Sequence, residues 1–408
     1  MTDIKAFKLE NNITVIHQKE KTSLAHVRIY FKVGAIVEPA KQKGIAHLTE
    51  HLMFKGTKTR TSAEITKLLE IKGAKINAST NQEETVYHAS VRPEFLETIL
   101  DLYADMIQNK SITAAEFEKE KLVVLQEIKM DQDDYDGCNL DNLFKRLYGL
   151  DPIVGFENTL RNLTLNDVYA FIKRFYTAEN MTISLLSDRS HADVKSLLNR
   201  YFGDMATGAK TAYKPLKVKR NQVIKERRGI AQVYIRHIYP LANFTDIKTH
   251  TKAVVLCDIL SGGLSCVLHR EIRDKYGLTY RIYARLGSFK DAALSKNRGV
   301  CLNIAASMDN KNLAKYLKVL PELIRQLPNI ITAEDLERVK NKRASREFIT
   351  AETKAESNYF CYTRYVKVTA YGQRDKLYYA TTLKEIRTFT RKYLTPDNVS
   401  YAQYGPVK

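Results

Sequence analysis

The sequence predicts an α+β protein made of two similar domains. Three observations carry that expectation. Strand-like and helix-like periodicities alternate through the first half of the chain, a helix-capping signature recurs about half a chain later, and a lysine-rich stretch of weak periodicity lies between.

Apolar alternation at Val15-Ile16 and at His26-Val27-Arg28-Ile29-Tyr30-Phe31 predicts strands, and a helix carrying His47-Leu48-Thr49-Glu50-His51 follows. Thr61-Ser62-Ala63-Glu64 is a capping box that opens a helix stopping at Gly73. Segments 74–80 and 85–91 read as strands joined by a polar turn, and Pro93 starts a helix running to about Ile107. A second capping box, Thr113-Ala114-Ala115-Glu116, opens a long helix that ends near the acidic cluster 131–136.

That second box repeats. Ile112-Thr113-Ala114 ahead of Glu116-Phe117-Glu118 is echoed by Ile331-Thr332-Ala333 ahead of Asp335-Leu336-Glu337. The stretch 204–228, with Gly208, Pro215 and many lysines, marks the boundary. We therefore expect a domain over 1–206, a linker over 207–228 and a related domain over 229–408. The latter half contains no second HxxEH run.

A chain of 408 residues with 44% hydrophobic residues can build two ordinary cores. It has no apolar run of about 18 residues and no apolar segment of signal-peptide type at its start, so neither a membrane span nor a signal peptide is expected. Cys138, Cys257, Cys266, Cys301 and Cys361 are odd in number and include no CxxC pair, which argues against a disulfide framework and for a reducing compartment. A bacterial cytoplasm fits, and a mature organellar matrix protein would read the same. The formal charge of +19 is dispersed. Its densest stretch, 214–228, lacks the interleaved aromatics of a stacking platform, so it reads as a solvated linker and no nucleic-acid partner is expected.

Residues four apart on a helix share a face at a separation of about 6 Å, so His47 and His51 can offer imidazole nitrogens to one ion. Glu50 lies on the same side and is free to act as a base. The bland alternative is an amphipathic helix with two surface or satisfied core histidines. A catalytic zinc centre commonly takes three protein ligands and leaves a position open. Glu120 and Glu127, two turns apart on the long helix after Thr113, are candidates for the third. Spacing alone does not separate that role from glutamates paired with Lys119, Lys121 or Lys129.

HLTEHLMFKGT followed by Glu127 within EKEKLVVLQEIKMDQDD resembles the inverzincin signature of the pitrilysin family of zinc metallopeptidases. The chain is most similar to the subgroup that holds the β subunit of mitochondrial processing peptidase and its bacterial relatives. That resemblance implies two related α+β domains, each a mostly antiparallel sheet packed with helices, forming half of a clamshell peptidase. It implies one Zn2+ per chain on His47, His51 and Glu127, with Glu50 as general base and Glu120 as a carboxylate supporting the site. Segment 73–80 followed by Thr85-Val86-Tyr87 resembles the family's edge strand, so Asn77, Ala78, Ser79 and Thr80 are expected to pair with an extended peptide substrate.

In the second half, Ser261-Gly262-Gly263-Leu264-Ser265 and the run from Glu271 to Tyr280 resemble the segment bearing the family's arginine and tyrosine, here Arg273 and Tyr280. Without the resemblance, those two read equally as a surface cation and a packed ring. With it, they are expected to contact the oxyanion and the substrate. The family's site needs two such halves, so a homodimer is implied, with a heterodimer containing a zinc-free homologue as the other assembly. The alternative function is a non-catalytic assembly or scaffold subunit, against which the intact motif argues. The acidic residues Asp131, Asp133, Asp134 and Asp136 either attract basic peptides or form a solvated loop.

Overall fold

The computed structural model describes residues 3–213, 219–227, 229–241, 247–288, 300–352 and 371–406. Strands β1 (Asp3–Lys8), β2 (Thr14–Lys19) and β3 (Ala25–Phe31) lead to helices α1 (Ile45–Leu52) and α2 (Ser62–Ile71). After β4 (Lys75–Thr80) and β5 (Thr85–Val91) come α3 (Leu96–Gln108), α4 (Ala114–Asp133), α5 (Tyr135–Tyr148), α6 (Glu157–Asn162) and α7 (Leu165–Phe175). Then follow β6 (Met181–Ser187) and α8 (His191–Phe202). The second half holds β7 (Val223–Arg227), β8 (Gln232–Leu241), α9 (Ile247–Ser261), β9 (Arg281–Ser288), β10 (Val300–Asp309), α10 (Asn310–Ile330) and α11 (Ala333–Glu352). Helices over Tyr371–Ala380 and Leu383–Tyr393 and strand β11 (Ser400–Gly405) complete it.

The first sheet runs β1-β2-β6-β3-β5-β4, antiparallel at every step except the parallel pair β2 and β6. On β3, Val27, Ile29 and Phe31 point to one face, where they join Leu48, Leu52, Leu100, Phe171 and Leu198 from the helices in a single core. The second sheet runs β7-β11-β8-β10-β9, with β7 and β11 parallel and the other steps antiparallel. Its order and orientation match β2-β6-β3-β5-β4 strand for strand. The expectation of two similar α+β domains, each a mostly antiparallel sheet with helices, holds.

The repeated capping boxes open equivalent helices. The Glu116 N–H donates to Thr113 Oγ1 at 3.1 Å at the start of α4, and the Asp335 N–H donates to Thr332 Oγ1 at 3.1 Å at the start of α11. The box at Thr61 is complete, with the Glu64 carboxylate accepting from the Thr61 N–H at 2.7 Å. Gly73, just past α2, takes φ +58, the left-handed conformation that glycine adopts without strain. Pro93 opens a single 3-10 turn, Pro93–Phe95, before α3 proper.

Two features differ from the linear reading. One compact unit draws chiefly on Met1–Met130 and Asp151–Tyr213, the other on Asp131–Leu150, Lys214–Phe348 and Ala370–Lys408. Helix α5 belongs to the second unit because Asn139 Nδ2 donates to the carbonyls of Tyr234 and Ala402 at 3.1 and 3.2 Å, and Leu143 and Leu147 are fully buried. Val223–Arg227, inside the stretch read as linker, is strand β7, paired with β11. Five residues of that basic stretch, 214–218, and residue 228 lie outside the described residues.

The acidic run joins two helices, with Asp131, Asp133 and Asp134 exposed to solvent and Asp136 half-buried. Asp131 and Asp133 close α4, Asp134 caps α5 by accepting from the Asp136 N–H at 3.2 Å, and Asp136 pairs with Arg236 at 2.7 Å while accepting from the Tyr283 hydroxyl at 2.9 Å. Among the described residues Cys138, Cys257, Cys266 and Cys301 form no disulfide with one another, and Cys361 lies outside the described residues. Among the described residues no helix is long and apolar enough to cross a membrane.

Candidate metal centre

α1 places its candidate site residues by burying its other face. Ile45, Ala46, Leu48, Thr49 and Leu52 are buried, which turns His47, Glu50 and His51 toward β4 and α4. The two imidazole centroids are 4.7 Å apart. Glu127 reaches them from α4: its Oε2 is 3.8 Å from His47 Nε2 and 3.5 Å from His51 Nε2.

One donor atom from each of His47, His51 and Glu127 falls within 4.8 Å of the others. Three donors at tetrahedral zinc, each about 2.1 Å from the ion, stand about 3.4 Å from one another. The cluster is therefore within a small side-chain adjustment of a zinc site. Burial, reinforced by the neighbouring His51, lowers the His47 imidazole to about 4, so the ring is neutral near pH 7 as a metal ligand must be. Two imidazoles and one carboxylate form a donor set that catalytic zinc takes with a position left open. The residues fit the ion.

Glu120 sits behind His51. Its Oε2 lies 3.4 Å from His51 Nδ1, and its Oε1 lies 2.7 Å from Lys55 Nζ. A carboxylate on the far nitrogen would fix the imidazole tautomer and leave Nε2 free to bind a metal. The Glu120 side chain is 6% exposed, and Lys55 supplies the compensating charge that burial demands. Lys55 was missed in the sequence, where only lysines on α4 itself suggested partners; Lys121 instead reaches Glu118 and the Leu163 carbonyl. Between the two glutamates, Leu122 is 60% exposed, while Val124 and Leu125 are buried.

Glu50 does not join the ligand cluster. Burial raises its carboxyl pKa, partly offset by the Thr80 hydroxyl, which donates to Glu50 Oε2 at 2.6 Å. Thr80 ends β4, the edge of the sheet, which among the described residues pairs with β5 alone. Asn77 and Ser79 are exposed along that strand, and Ala78 and Thr80 are half-buried against the α1 side. Sequence reasoning had placed Thr80 with the substrate-pairing residues; its bond to Glu50 was not foreseen.

Arg273 and Tyr280 lie in the second unit. The Arg273 guanidinium sits 4.8 Å from the Tyr280 ring centroid, and Tyr280 is 83% exposed. They are brought to each other, Arg273 on a single π-helical turn, His269–Asp274, and Tyr280 just ahead of β9.

Residues 13–154 match the family described as insulinase (peptidase family M16), and residues 162–343 match the peptidase M16 inactive domain. An uncharacterized zinc protease of Rickettsia felis is 28% identical over 371 residues, covering 88% of each chain. One from Bacillus subtilis is 27% identical over 86% of this chain and 85% of its own length. A probable mitochondrial-processing peptidase subunit beta of Schizosaccharomyces pombe is 32% identical over 49% of this chain and 45% of its own. Two crystal structures share the fold over the whole of this chain. A Helicobacter pylori protease has a TM-score of 0.88 at 21% identity, and a peptidase M16 inactive domain from Pseudomonas fluorescens has 0.87 at 18%.

Proposed function

This chain belongs to the M16 family of peptidases, and on that premise we propose that it is a zinc-dependent endopeptidase cleaving extended peptides or unfolded precursor segments. The observation that carries this reading is the cluster of His47, His51 and Glu127 with Glu50 beside it, hydrogen-bonded to the edge strand. Zinc, held by those three side chains, would supply Lewis-acid polarisation of the scissile carbonyl and a more acidic water.

The chain's own groups do the rest. Glu50 takes the proton from the attacking water and hands it to the leaving amine, and its raised pKa brings the carboxyl closer to the ideal for a base working near neutral pH. Glu120, neutralised by Lys55, keeps His51 in the tautomer that binds metal. The edge of β4 at Asn77, Ala78, Ser79 and Thr80, unpaired on its outer side among the described residues, adds a substrate strand by backbone hydrogen bonds, which gives affinity with little sequence preference.

We further assign Arg273 and Tyr280 to oxyanion and substrate contacts, supplied to the zinc site by a second subunit of a homodimer or of a heterodimer with a zinc-free homologue. The first unit then carries the metal and the second, related in topology, does not. A reducing, cytoplasm-like compartment suits cysteines that, among the described residues, form no disulfide with one another.

Glu50→Gln tests the assignment. It should keep one zinc per chain by metal analysis and lose nearly all cleavage of a mixed peptide library. A variant cutting at the wild-type rate would sink the base assignment, and a metal-loaded wild type that cuts nothing as a sized dimer would favour the scaffold reading.

A further inference from the structure

α1 compresses both histidines and Glu50 into eight residues, a length at which a helix depends on outside support. Its start cannot be capped in the usual way. The N-cap residue is Gly44, with φ +98 and no side-chain cap, and a Cβ there would meet the Val154 carbonyl oxygen at 2.6 Å. No serine, threonine or aspartate fits that position.

The missing acceptor comes from Glu38, in the loop ahead of the helix. Its Oε2 accepts from the Gly44 N–H at 3.0 Å and its Oε1 from the Ala46 N–H at 2.8 Å. At the other end, Lys110, two residues past α3, donates from Nζ to the carbonyl of Met53, the C-cap of α1, at 2.7 Å. Both side chains are buried, and burial works against their charges. It pushes the Glu38 carboxyl up to about 8 and the Lys110 ammonium down to about 7. Ordinary exposed caps would avoid that cost. Glu38's second bond is to the residue just before His47, and Lys110 holds the turn that follows His51. The two contacts therefore bracket the ligands.

We propose that Glu38 and Lys110 are positioning residues for the metal centre, fixing α1 at both ends so that His47 and His51 stay in register with Glu127 on α4. The proposal rests on the reading of these three residues as the zinc ligands. Neither Glu38 nor Lys110 touches the ion. Each acts through the helix backbone, so its loss loosens the geometry without removing a ligand.

The test compares zinc dissociation constants, by competition with a chromophoric chelator, for wild type, Glu38→Gln, Lys110→Met and Leu198→Ala. Leu198 is fully buried in the same core on α8, an element that supplies neither Glu38 nor Lys110, so its truncation lowers stability alone. Both end variants should bind zinc about 10- to 100-fold more weakly. In metal-free protein, the amides of 45–53 should exchange faster in both. Leu198→Ala should keep wild-type zinc affinity. If Glu38→Gln does not fold, Lys110→Met carries the test by itself. Wild-type affinity with unchanged exchange in the end variants overturns the proposal, as does an equal affinity loss in Leu198→Ala. Wild-type protein that takes up no zinc overturns the ligand reading and this proposal together. Failure of the proposal alone leaves one zinc per wild-type chain.

Discussion

Thr80→Val isolates the link between the edge strand and the proposed base. Valine keeps the β-branched shape that suits a strand and removes only the hydroxyl that donates to Glu50 Oε2 at 2.6 Å. A hydrogen bond to a charged group is worth about 1.5–3 kcal/mol, which corresponds to about a 10- to 100-fold change. The Thr80 backbone also bonds the carboxylate, so part of the restraint survives and the lower half of that range is expected. If Thr80 orients Glu50, kcat should fall about 10- to 30-fold with KM nearly unchanged and zinc at one per chain. Thr80→Ser, which keeps the hydroxyl, should restore most of the rate. Steady-state cleavage of a fluorogenic peptide, beside metal analysis, reads all three numbers. A rise in KM with unchanged kcat would refute the reasoning, leaving Thr80 as a substrate contact only, and equal losses in the valine and serine variants would do the same.

Lys55→Met strips the buried Glu120 of its cation and should weaken zinc about 10- to 100-fold, with Lys55→Arg close to wild type by chelator competition. His51→Ala should abolish stoichiometric zinc altogether, and retention of a full zinc per chain would remove it from the ligand set. Acid should destabilise the metal-free protein through His17, whose imidazole burial lowers to about 4, helped by its neighbour His191. The folded-state pKa is below the unfolded value of 6.5, so the unfolded chain takes the proton first. Stability is lost as pH falls from about 6.5 to 4, by about 3 kcal/mol for this group. His17→Gln, which stays neutral, should make urea midpoints fall less steeply across that window, where His47, His88 and His237, lowered by burial in the same way, still contribute; an unchanged slope would assign the acid sensitivity elsewhere.

Two of the three proposed ligands were legible because they sit where local geometry suffices. A helix places residues four apart on one face, so His47 and His51 declare themselves from spacing. The capping boxes at Thr61, Thr113 and Thr332 did the same for three helix starts, and the repeat of one of them announced the second α+β unit. Glu127 needed the family pattern, because Glu120 has the same residue type on the same face and only the fold turns one toward the cluster and the other toward Lys55.

The sequence by itself determined the chemistry of the donor set, the helices that carry it and the existence of two related halves. The histidine pair, the helix starts and the repeat follow from periodicities and caps spanning a few residues, and Glu127 from the family pattern. Tertiary structure alone decided which side chains hold that chemistry in place: Glu38 and Lys110 at the ends of α1, Lys55 behind Glu120, and Thr80 on Glu50. It also decided that Asp136 serves an ion pair with Arg236 and that α5 packs on the second sheet. Such partners lie in other elements, with no fixed spacing from the groups they touch. A buried charge needs a partner, but only the packed chain selects which one reaches it.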